Sequence, residues 1–316
     1  MSGFAILCPG QGGQSASMFD LLPAPQQMEL DAWWRQLPLE HGVAMPSRQA
    51  LLQNPQHLFA NRYAQVLVVA ASLADWHALQ MQWPQMPAPD VVAGYSVGEL
   101  SACALAGMLE PAACLRLAGQ RAQCMDACAI GHTFGMAALS VTGSGMQSLA
   151  ALLATEPEVG LAIENGAQQW VVAGEAQAMQ RLQMRALQAG ASWQPLAVQI
   201  PSHTGWMSAA VGPFAQCLQE ISWHQPKMAV VAGVSAQIDY DYQKICFNLQ
   251  QQMAHTVRWS TCMDVLAETG LRVALELGPG TALTRMFNQR HPQIEVRAVS
   301  QFRSIQGVVD WLQRHL

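Results

Sequence analysis

Charge is scarce in this chain. Of its 316 residues only 16 are Lys or Arg and 21 are Asp or Glu, 12 % together, against roughly 25 % in ordinary globular proteins. Lysine is almost absent, with only Lys227 and Lys244. The formal net charge of −5 leaves no basic field for nucleic acid. Long apolar runs are missing too: residues 66–71 form one of the longest, and residues 271–277 are interrupted by Arg272 and Glu276, both far short of the ~20 residues a membrane span needs. The opening Met1-Ser-Gly-Phe-Ala-Ile-Leu has no cationic lead before its apolar stretch, which reads against a secretion signal. The expectation is a soluble, cytoplasmic protein. The eight cysteines form no Cys-x-x-Cys pair, and the nine histidines form no His-x-His or His-x-x-x-His pair. Cys124 and Cys128 lie one helical turn apart, but no second pair nearby completes a zinc set. No metal and no disulfide framework is expected.

What the chain does have is apolar mass. Residues of that class reach 51 %, enough for a large core and too many for a disordered chain. The length allows one large domain or two unequal ones.

The first strand is read at Phe4–Cys8, an apolar run broken by Pro9 and then Gly10-Gln-Gly-Gly-Gln14. A buried parallel strand delivers a loop to its carboxyl edge in this way. Residues 20–57, rich in Pro and Gln, suggest short helices. Helical spacing of Val66, Val69, Ala70, Leu73 and Trp76 predicts a long amphipathic helix over 64–79, and Pro84, Pro87 and Pro89 an extended linker. A central strand at 90–93, a tight turn at 94–98 and a small-residue helix at 99–107 follow. The next helix starts at Pro111, a residue suited to a first turn, and runs to Cys128.

Near Gly131 the texture changes. Strands are read at 134–141, 159–164, 169–173 and 192–198, helices at 144–154 and 175–189, with Asn165-Gly166 as a hairpin turn. This β-α-β-β-α-β order is that of a ferredoxin-like subdomain. It interrupts an α/β pattern that resumes with a helix at 206–220, a strand at 228–232, helices at 242–253 and 260–269, and a strand at 273–277. That last strand meets Gly278-Pro-Gly280 and another helix. The fold class is therefore α/β: a hydrolase-like large domain with a parallel sheet (1–130 and 200–316) carrying an inserted ferredoxin-like (βαββαβ) subdomain (131–199).

Gly94-Tyr-Ser-Val-Gly98 fits G-x-S-x-G between a strand and a helix, the setting of a nucleophile elbow. Flanking glycines permit a sharp, strained turn that holds Ser96 Oγ exposed. The Val97 amide, at a helix N-terminus, can then bind an oxyanion. A serine nucleophile needs a base. The candidates are His203, His224, His255, His291 and His315, and His203 is favoured because Pro201 stiffens Gln199-Ile-Pro-Ser-His-Thr204. No acidic residue between 96 and 203 has an evident orienting context. The Gly10–Gln14 loop lacks the Lys-Ser/Thr of a P-loop and the third glycine of a dinucleotide fingerprint; a Gln11 amide serving as second oxyanion donor fits better. Arg121, on a helix poor in charge, reads either as a carboxylate clamp or as an arginine on a solvated face.

Taken together, Cys8-Pro-Gly-Gln-Gly-Gly13, Tyr63-Ala-Gln65, Gly94-Tyr-Ser-Val-Gly-Glu99, Gln120-Arg121 with Met125, Pro201-Ser-His203, Val257-Arg-Trp259 and Glu276-Leu-Gly-Pro-Gly280 resemble the malonyl-CoA:acyl carrier protein transacylases and the acyltransferase domains of fatty acid and polyketide synthases. The motifs stand in the family's order over nearly the whole chain. The resemblance implies Ser96 as acyl-accepting nucleophile, His203 as base, and the Gln11 and Val97 amides as oxyanion hole. It also implies Arg121 as clamp for a malonyl carboxylate, with Gln65, Met125 and Ser202 lining the substrate site. Gln252 matches the glutamine that orients the histidine in place of an acid. No permanently bound cofactor is implied; the acyl group comes from a CoA thioester and leaves on a carrier-borne phosphopantetheine-type thiol.

Two positions depart from the family pattern. Tyr95 stands where His is common, and Cys8 where Phe is usual. The Tyr-Ser-Val-Gly-Glu elbow and the compact N-terminal third resemble the epsilon subunit of bacterial malonate decarboxylase, which implies loading of that enzyme's carrier subunit. The alternative is malonyl transfer to the acyl carrier protein of fatty acid or polyketide synthesis, and a serine hydrolase is a remote one. A non-catalytic binding subunit fits poorly with an intact Ser96, His203 and Arg121.

Overall fold

A computed structural model describes residues 3–37, 44–141 and 149–316. Its ten strands, in chain order, are β1 (Phe4–Cys8), β2 (Val91–Gly94), β3 (Phe134–Val141), β4 (Val159–Gly166), β5 (Gln169–Glu175), β6 (Ala191–Pro195), β7 (Ala229–Ala232), β8 (Gln237–Asp239), β9 (Val273–Glu276) and β10 (Glu295–Ala298). Six of them form one sheet in the order β10-β9-β1-β2-β7-β8. All neighbours in it are parallel except β7 and β8, which pair antiparallel at the edge.

The central strands read Phe-Ala-Ile-Leu-Cys, Val-Val-Ala-Gly, Ala-Val-Val-Ala and Val-Ala-Leu-Glu, and every residue in them is buried. Near-continuous apolar runs are what a parallel sheet covered on both faces demands. Alternation still divides the faces. Phe4, Ile6 and Cys8 join one core with Val66, Val69 and Leu73 of the helix Asn61–Gln82. Ala5 and Leu7 join another with Trp259, Met263 and Leu266 of the helix Trp259–Glu268.

Loops leaving the carboxyl ends of β1, β2, β7 and β9 gather along one edge, where ligands bind in open α/β sheets. They are pressed together. A Cβ on Gly13 would lie 2.5 Å from the Pro279 carbonyl oxygen, and one on Gly278 would lie 2.7 Å from Ser72 Oγ. Buried carboxyl groups brace this corner: Asp75 accepts from Gly278 N at 2.8 Å, and Glu276 accepts from the first amides of the helix Ala282–Arg290, Leu283 N at 3.1 Å and Thr284 N at 2.7 Å.

The second sheet is antiparallel, in the order β4-β5-β3-β6. With the helices Leu149–Leu153 and Ala176–Gln188 it follows the expected β-α-β-β-α-β order. Its own small core contains Leu139, Val172 and Leu182. The strand β4 also bridges to the large part of the chain: Val257 N donates to Ala162 O at 3.0 Å, Glu164 N to Val257 O at 2.8 Å, and Thr256 Oγ1 to Leu161 O at 2.7 Å.

Some elements differ from the sequence reading. The hairpin turn falls at residues 167–168 rather than at Asn165-Gly166, because Asn165 sits at an irregularity of β4 and its side chain is taken by Tyr95, whose hydroxyl donates to Asn165 Oδ1 at 3.1 Å. The last small-sheet strand ends at Pro195 instead of residue 198. Of the helix expected at 144–154, residues 149–153 are helical and 144–148 lie outside the described residues. The short strands β8 and β10 and the helix Ile305–His315 have no counterpart in the sequence reading. No helix among the described residues is long and apolar enough to cross a membrane.

Candidate active site

The turn after β2 places Ser96 with φ of +56°, a left-handed conformation that L-residues adopt at a cost. The surrounding glycines make it possible. A Cβ on Gly94 would fall 2.2 Å from Glu99 N, and one on Gly98 would fall 2.1 Å from the Cys8 carbonyl oxygen. The turn therefore closes against the end of β1 only with hydrogen at both positions. Ser96 is left half-buried at the start of the helix Gly98–Leu105.

His203 is the histidine that meets it. Its backbone is also left-handed, with φ of +63°, and its amide donates to Met253 O at 2.9 Å. Nε2 lies 2.8 Å from Ser96 Oγ, and Nδ1 lies 2.6 Å from the main-chain carbonyl of Gln252. A carbonyl only accepts, so Nδ1 carries the proton and Nε2 is free to accept from the serine hydroxyl. Burial, aided by the Arg121 charge, pushes the imidazole down to about 3. It is neutral at physiological pH, the state a general base requires.

Arg121 is buried, only 2 % exposed, so the solvated-face reading does not hold. Its Nη1 donates to Gln65 Oε1 at 2.7 Å and to Met125 Sδ at 3.4 Å, and its Nη2 donates to Gln252 Oε1 at 2.9 Å. Burial lowers its proton affinity to about 10, against the opposing pull of Glu99; it remains cationic. Gln65 is fixed in turn, donating to Asn61 Oδ1 at 2.8 Å, and Asn61 Nδ2 donates to Asp126 Oδ1 at 2.8 Å. The three hydrogen-bond partners of Arg121 are thus neutral, two amides and a thioether.

Gln252 does more than orient the histidine, and it does so differently from expectation. Its carbonyl, not its side chain, holds Nδ1. The side chain instead joins Arg121 to the elbow, with Nε2 donating to Ser96 O at 3.1 Å. Gly10 passes against the elbow, for a Cβ there would lie 3.4 Å from Ser96 Cβ, so the loop bearing the Gln11 amide runs beside the nucleophile. Among the described residues neither the Gln11 nor the Val97 N–H has an acceptor. The Gln11 side chain turns away to Asn61 Oδ1 at 3.3 Å. Ser202 is the residue not brought into this network: its amide and hydroxyl both turn to Ile200 O, at 2.7 and 3.4 Å.

The sequence reading missed Glu99, Asn61 and Asp126 as parts of the network. Glu99 is 2 % exposed and accepts from Gly233 N at 2.6 Å, and its negative charge supports the cationic form of Arg121. A carboxylate three residues after the nucleophile, in an otherwise apolar helix, was its available signal. Among the described residues no group of His, Cys, Asp and Glu is placed to hold a metal ion.

The acyl transferase domain family matches residues 6–306. The malonyl CoA-acyl carrier protein transacylase of Salmonella typhimurium is 30 % identical, over 90 % of this chain and 91 % of that protein. The crystal structure of malonyl-CoA:acyl carrier protein transacylase from Xanthomonas oryzae superposes with a TM-score of 0.84 at 29 % identity, covering 100 % of this chain and 99 % of that one. A malonyl-transacylase solved in complex with its type II polyketide synthase acyl-carrier protein gives a TM-score of 0.87 at 28 % identity, covering 98 % and 99 %. With a match of this extent, and an elbow serine paired to a histidine, the chain belongs to the acyl transferase domain family and is an acyltransferase.

Proposed function

We propose that this protein moves a malonyl group from coenzyme A to the phosphopantetheine-type thiol of an acyl carrier protein, by way of a malonyl ester on Ser96. The observation that carries the reading is a buried, cationic Arg121 whose hydrogen-bond partners are neutral, joined through Gln252 to the Ser96–His203 pair. Three of its N–H groups are engaged, and Nε–H and one Nη2–H have no acceptor among the described residues. Such a pair forms a planar fork that matches a carboxylate.

The steps follow from the geometry. His203 Nε2 takes the Ser96 proton as Oγ attacks the thioester carbonyl. The Val97 and Gln11 amides face the developing oxyanion, and the coenzyme A thiolate leaves with the proton from His203. In the second half-reaction His203 takes the proton of the carrier thiol, whose sulfur attacks the acyl-serine; Ser96 recovers its proton from the imidazolium. The malonyl carboxylate on Arg121 holds the acyl chain in place through both halves. In this reading residues 131–199 form a subdomain joined to residues 1–130 and 200–316 at the Val257 bridge and through a shared core that includes Met136, Ile163 and Trp259.

The named relatives support transfer within fatty acid or polyketide synthesis more than loading of a malonate decarboxylase carrier. For the decarboxylase reading the support is the Tyr95-Ser-Val-Gly-Glu99 elbow and the compact N-terminal third, with Cys8 as a further departure from the usual pattern. The test is incubation with malonyl-CoA labelled in the acyl group. Label should remain on the denatured wild-type protein, be absent from Ser96→Ala, and pass to an added holo carrier protein. Label lost to water at the rate of its formation would make the protein a hydrolase.

A further inference from the structure

One amide outside the Ser96–His203 pair touches both ends of the acyl site. Asn61 stands at the first position of the helix Asn61–Gln82, whose N-terminus takes no side-chain cap. Its side chain faces the helix Pro111–Cys128 instead. Nδ2 donates to the Ala122 carbonyl at 3.2 Å and to Asp126 Oδ1 at 2.8 Å. A main-chain carbonyl can only accept, so the amide keeps its nitrogen on that helix and turns its oxygen to the site. There Oδ1 receives two donors, Gln65 Nε2 at 2.8 Å and Gln11 Nε2 at 3.3 Å.

The two glutamines serve opposite ends of an acyl group. Gln65 Oε1 accepts from Arg121 Nη1 at 2.7 Å and so bears on the guanidinium. Gln11 belongs to the loop whose amide runs beside the nucleophile. That loop is packed at both of its ends: a Cβ on Gly10 would lie 2.8 Å from Tyr95 O, and one on Gly13 would lie 2.5 Å from Pro279 O. Between them it is open, since a Cβ on Gly12 would meet nothing within 4 Å. The middle of the loop is held by side chains, with the Gly12 amide donating to Gln14 Oε1 at 2.5 Å and Gln11 Nε2 to Asn61.

We infer that Asn61 is a specificity-determining residue: by holding Gln65 and Gln11 on one oxygen, it sets the spacing between the Arg121 guanidinium and the Gln11 amide to suit a three-carbon diacid. The inference rests on the malonyl-transfer reading. In a malonyl thioester a single methylene separates the carbonyl from the carboxylate, so the oxyanion amide and the guanidinium must receive the two ends at once. Succinyl carries one methylene more. With its carbonyl at the oxyanion site, its carboxylate overshoots the guanidinium by roughly an ångström, a misplacement that costs about 100-fold. Acetyl has no carboxylate and depends on the oxyanion end alone. The bonds of Asn61 go to Gln65, Gln11, Ala122 and Asp126, which makes it a positioning residue acting through the two glutamines.

The test is competition of malonyl-CoA with succinyl-CoA for Ser96, read by the intact mass of the acyl-enzyme. The wild type should prefer malonyl by about 100-fold. Asn61→Ala frees both glutamines and leaves a good helix former at the start of the helix. Its malonyl kcat/KM should fall about 10- to 100-fold, mostly through KM, while succinyl holds or rises, so the preference drops about 10-fold or more. Acetyl loading should fall about 2- to 10-fold, the worth of one hydrogen bond. Gln11→Ala keeps the main-chain amide, loses the bond to Asn61, and should lower the preference in the same direction. In an Arg121→Ala background no clamp remains to be spaced, and Asn61→Ala should leave the malonyl-to-succinyl ratio unchanged.

An Asn61→Ala protein with the wild-type preference, or with all three acyl groups lowered alike, overturns the proposal. So does a further drop in preference on top of Arg121→Ala. A wild type that takes succinyl as readily as malonyl overturns the spacing and leaves the malonyl reading standing. One that takes acetyl as readily as malonyl fails the malonyl reading, and the proposal falls with it. If Asn61→Ala does not fold, Gln11→Ala decides alone, and an unchanged preference there overturns the proposal.

Discussion

Two side chains that must meet, Ser96 and His203, both sit on left-handed backbone. Strain of this kind persists only where the surroundings over-determine it, and here main-chain bonds do so, from His203 N to Met253 O and from Glu99 N to Ser96 O. Ser96 was legible in the sequence because G-x-S-x-G between a strand and a helix has few other uses. His203 was legible by its fixed approach at Pro201. The role of the Gln252 carbonyl was not legible, since any residue supplies one; only the chain path shows which carbonyl reaches Nδ1. Arg121 is where the residue scale makes its sharpest prediction. Removing one member of a buried charged pair costs roughly 2–5 kcal/mol, so Arg121→Ala should lower malonyl loading of Ser96 about 30- to several-thousand-fold. Acetyl loading should fall little, because Gln252 still donates to the Ser96 carbonyl. Arg121→Lys should recover part of the loss, since an ammonium cannot present two parallel N–H groups. Acylation rates from the two thioesters check this, and an equal fall for both would remove the clamp.

At the scale of elements, the strands that carry the site were the easiest to read. The strand β1 and the helix Pro111–Cys128 lie where the sequence put them, because an apolar run bounded by Pro9 and Gly10, and a proline at a first turn, are unambiguous local signals. The elements β8 and β10 were missed for the opposite reason. They are three and four residues long, and strands at the sheet's edges are too short to show alternation. Asn165 misled because its side chain serves Tyr95 instead of a turn, a tertiary contact that no local pattern encodes. The tightest element-to-element contact is that of the elbow with β1. A methyl group on Gly98 would meet two carbonyl oxygens, of Cys8 at 2.1 Å and of Pro9 at 2.6 Å, neither of which can yield without moving β1 or the Gln11 loop. Gly98→Ala should therefore displace Ser96 from His203 and lower acylation by about 100-fold or more, with a melting temperature below wild type. Wild-type acylation in this variant would show that the turn has slack.

The two sheets of the whole molecule meet along β4 and Val257, and the insertion was visible because its elements follow the order β-α-β-β-α-β between two stretches of α/β pattern. The distribution of buried charge was not visible. With so few ionisable residues, Asp75, Glu99 and Glu276 are nonetheless placed inside, and burial raises each. Asp75 offers a test free of the catalytic groups. Its carboxyl is raised to about 7, whereas an unfolded aspartate titrates near 3.9. Between these values the folded protein holds a proton that the unfolded chain has released, so stability falls as pH rises from about 4 to 7 and the full penalty persists above that. His203 works in the other direction, its lowered affinity favouring the unfolded chain as pH drops below about 6.5,, but it is common to wild type and variant and cancels in their difference. Asparagine at 75 keeps an oxygen for Gly278 N and carries no charge to desolvate. Asp75→Asn should melt above wild type at pH 8, and the gap should narrow steadily to pH 5 as the wild-type carboxyl takes up its proton. Thermal melts of both proteins across that range decide it: a variant less stable at pH 8 would mean that the charge on Asp75 holds the Gly278 loop more strongly than burial opposes it.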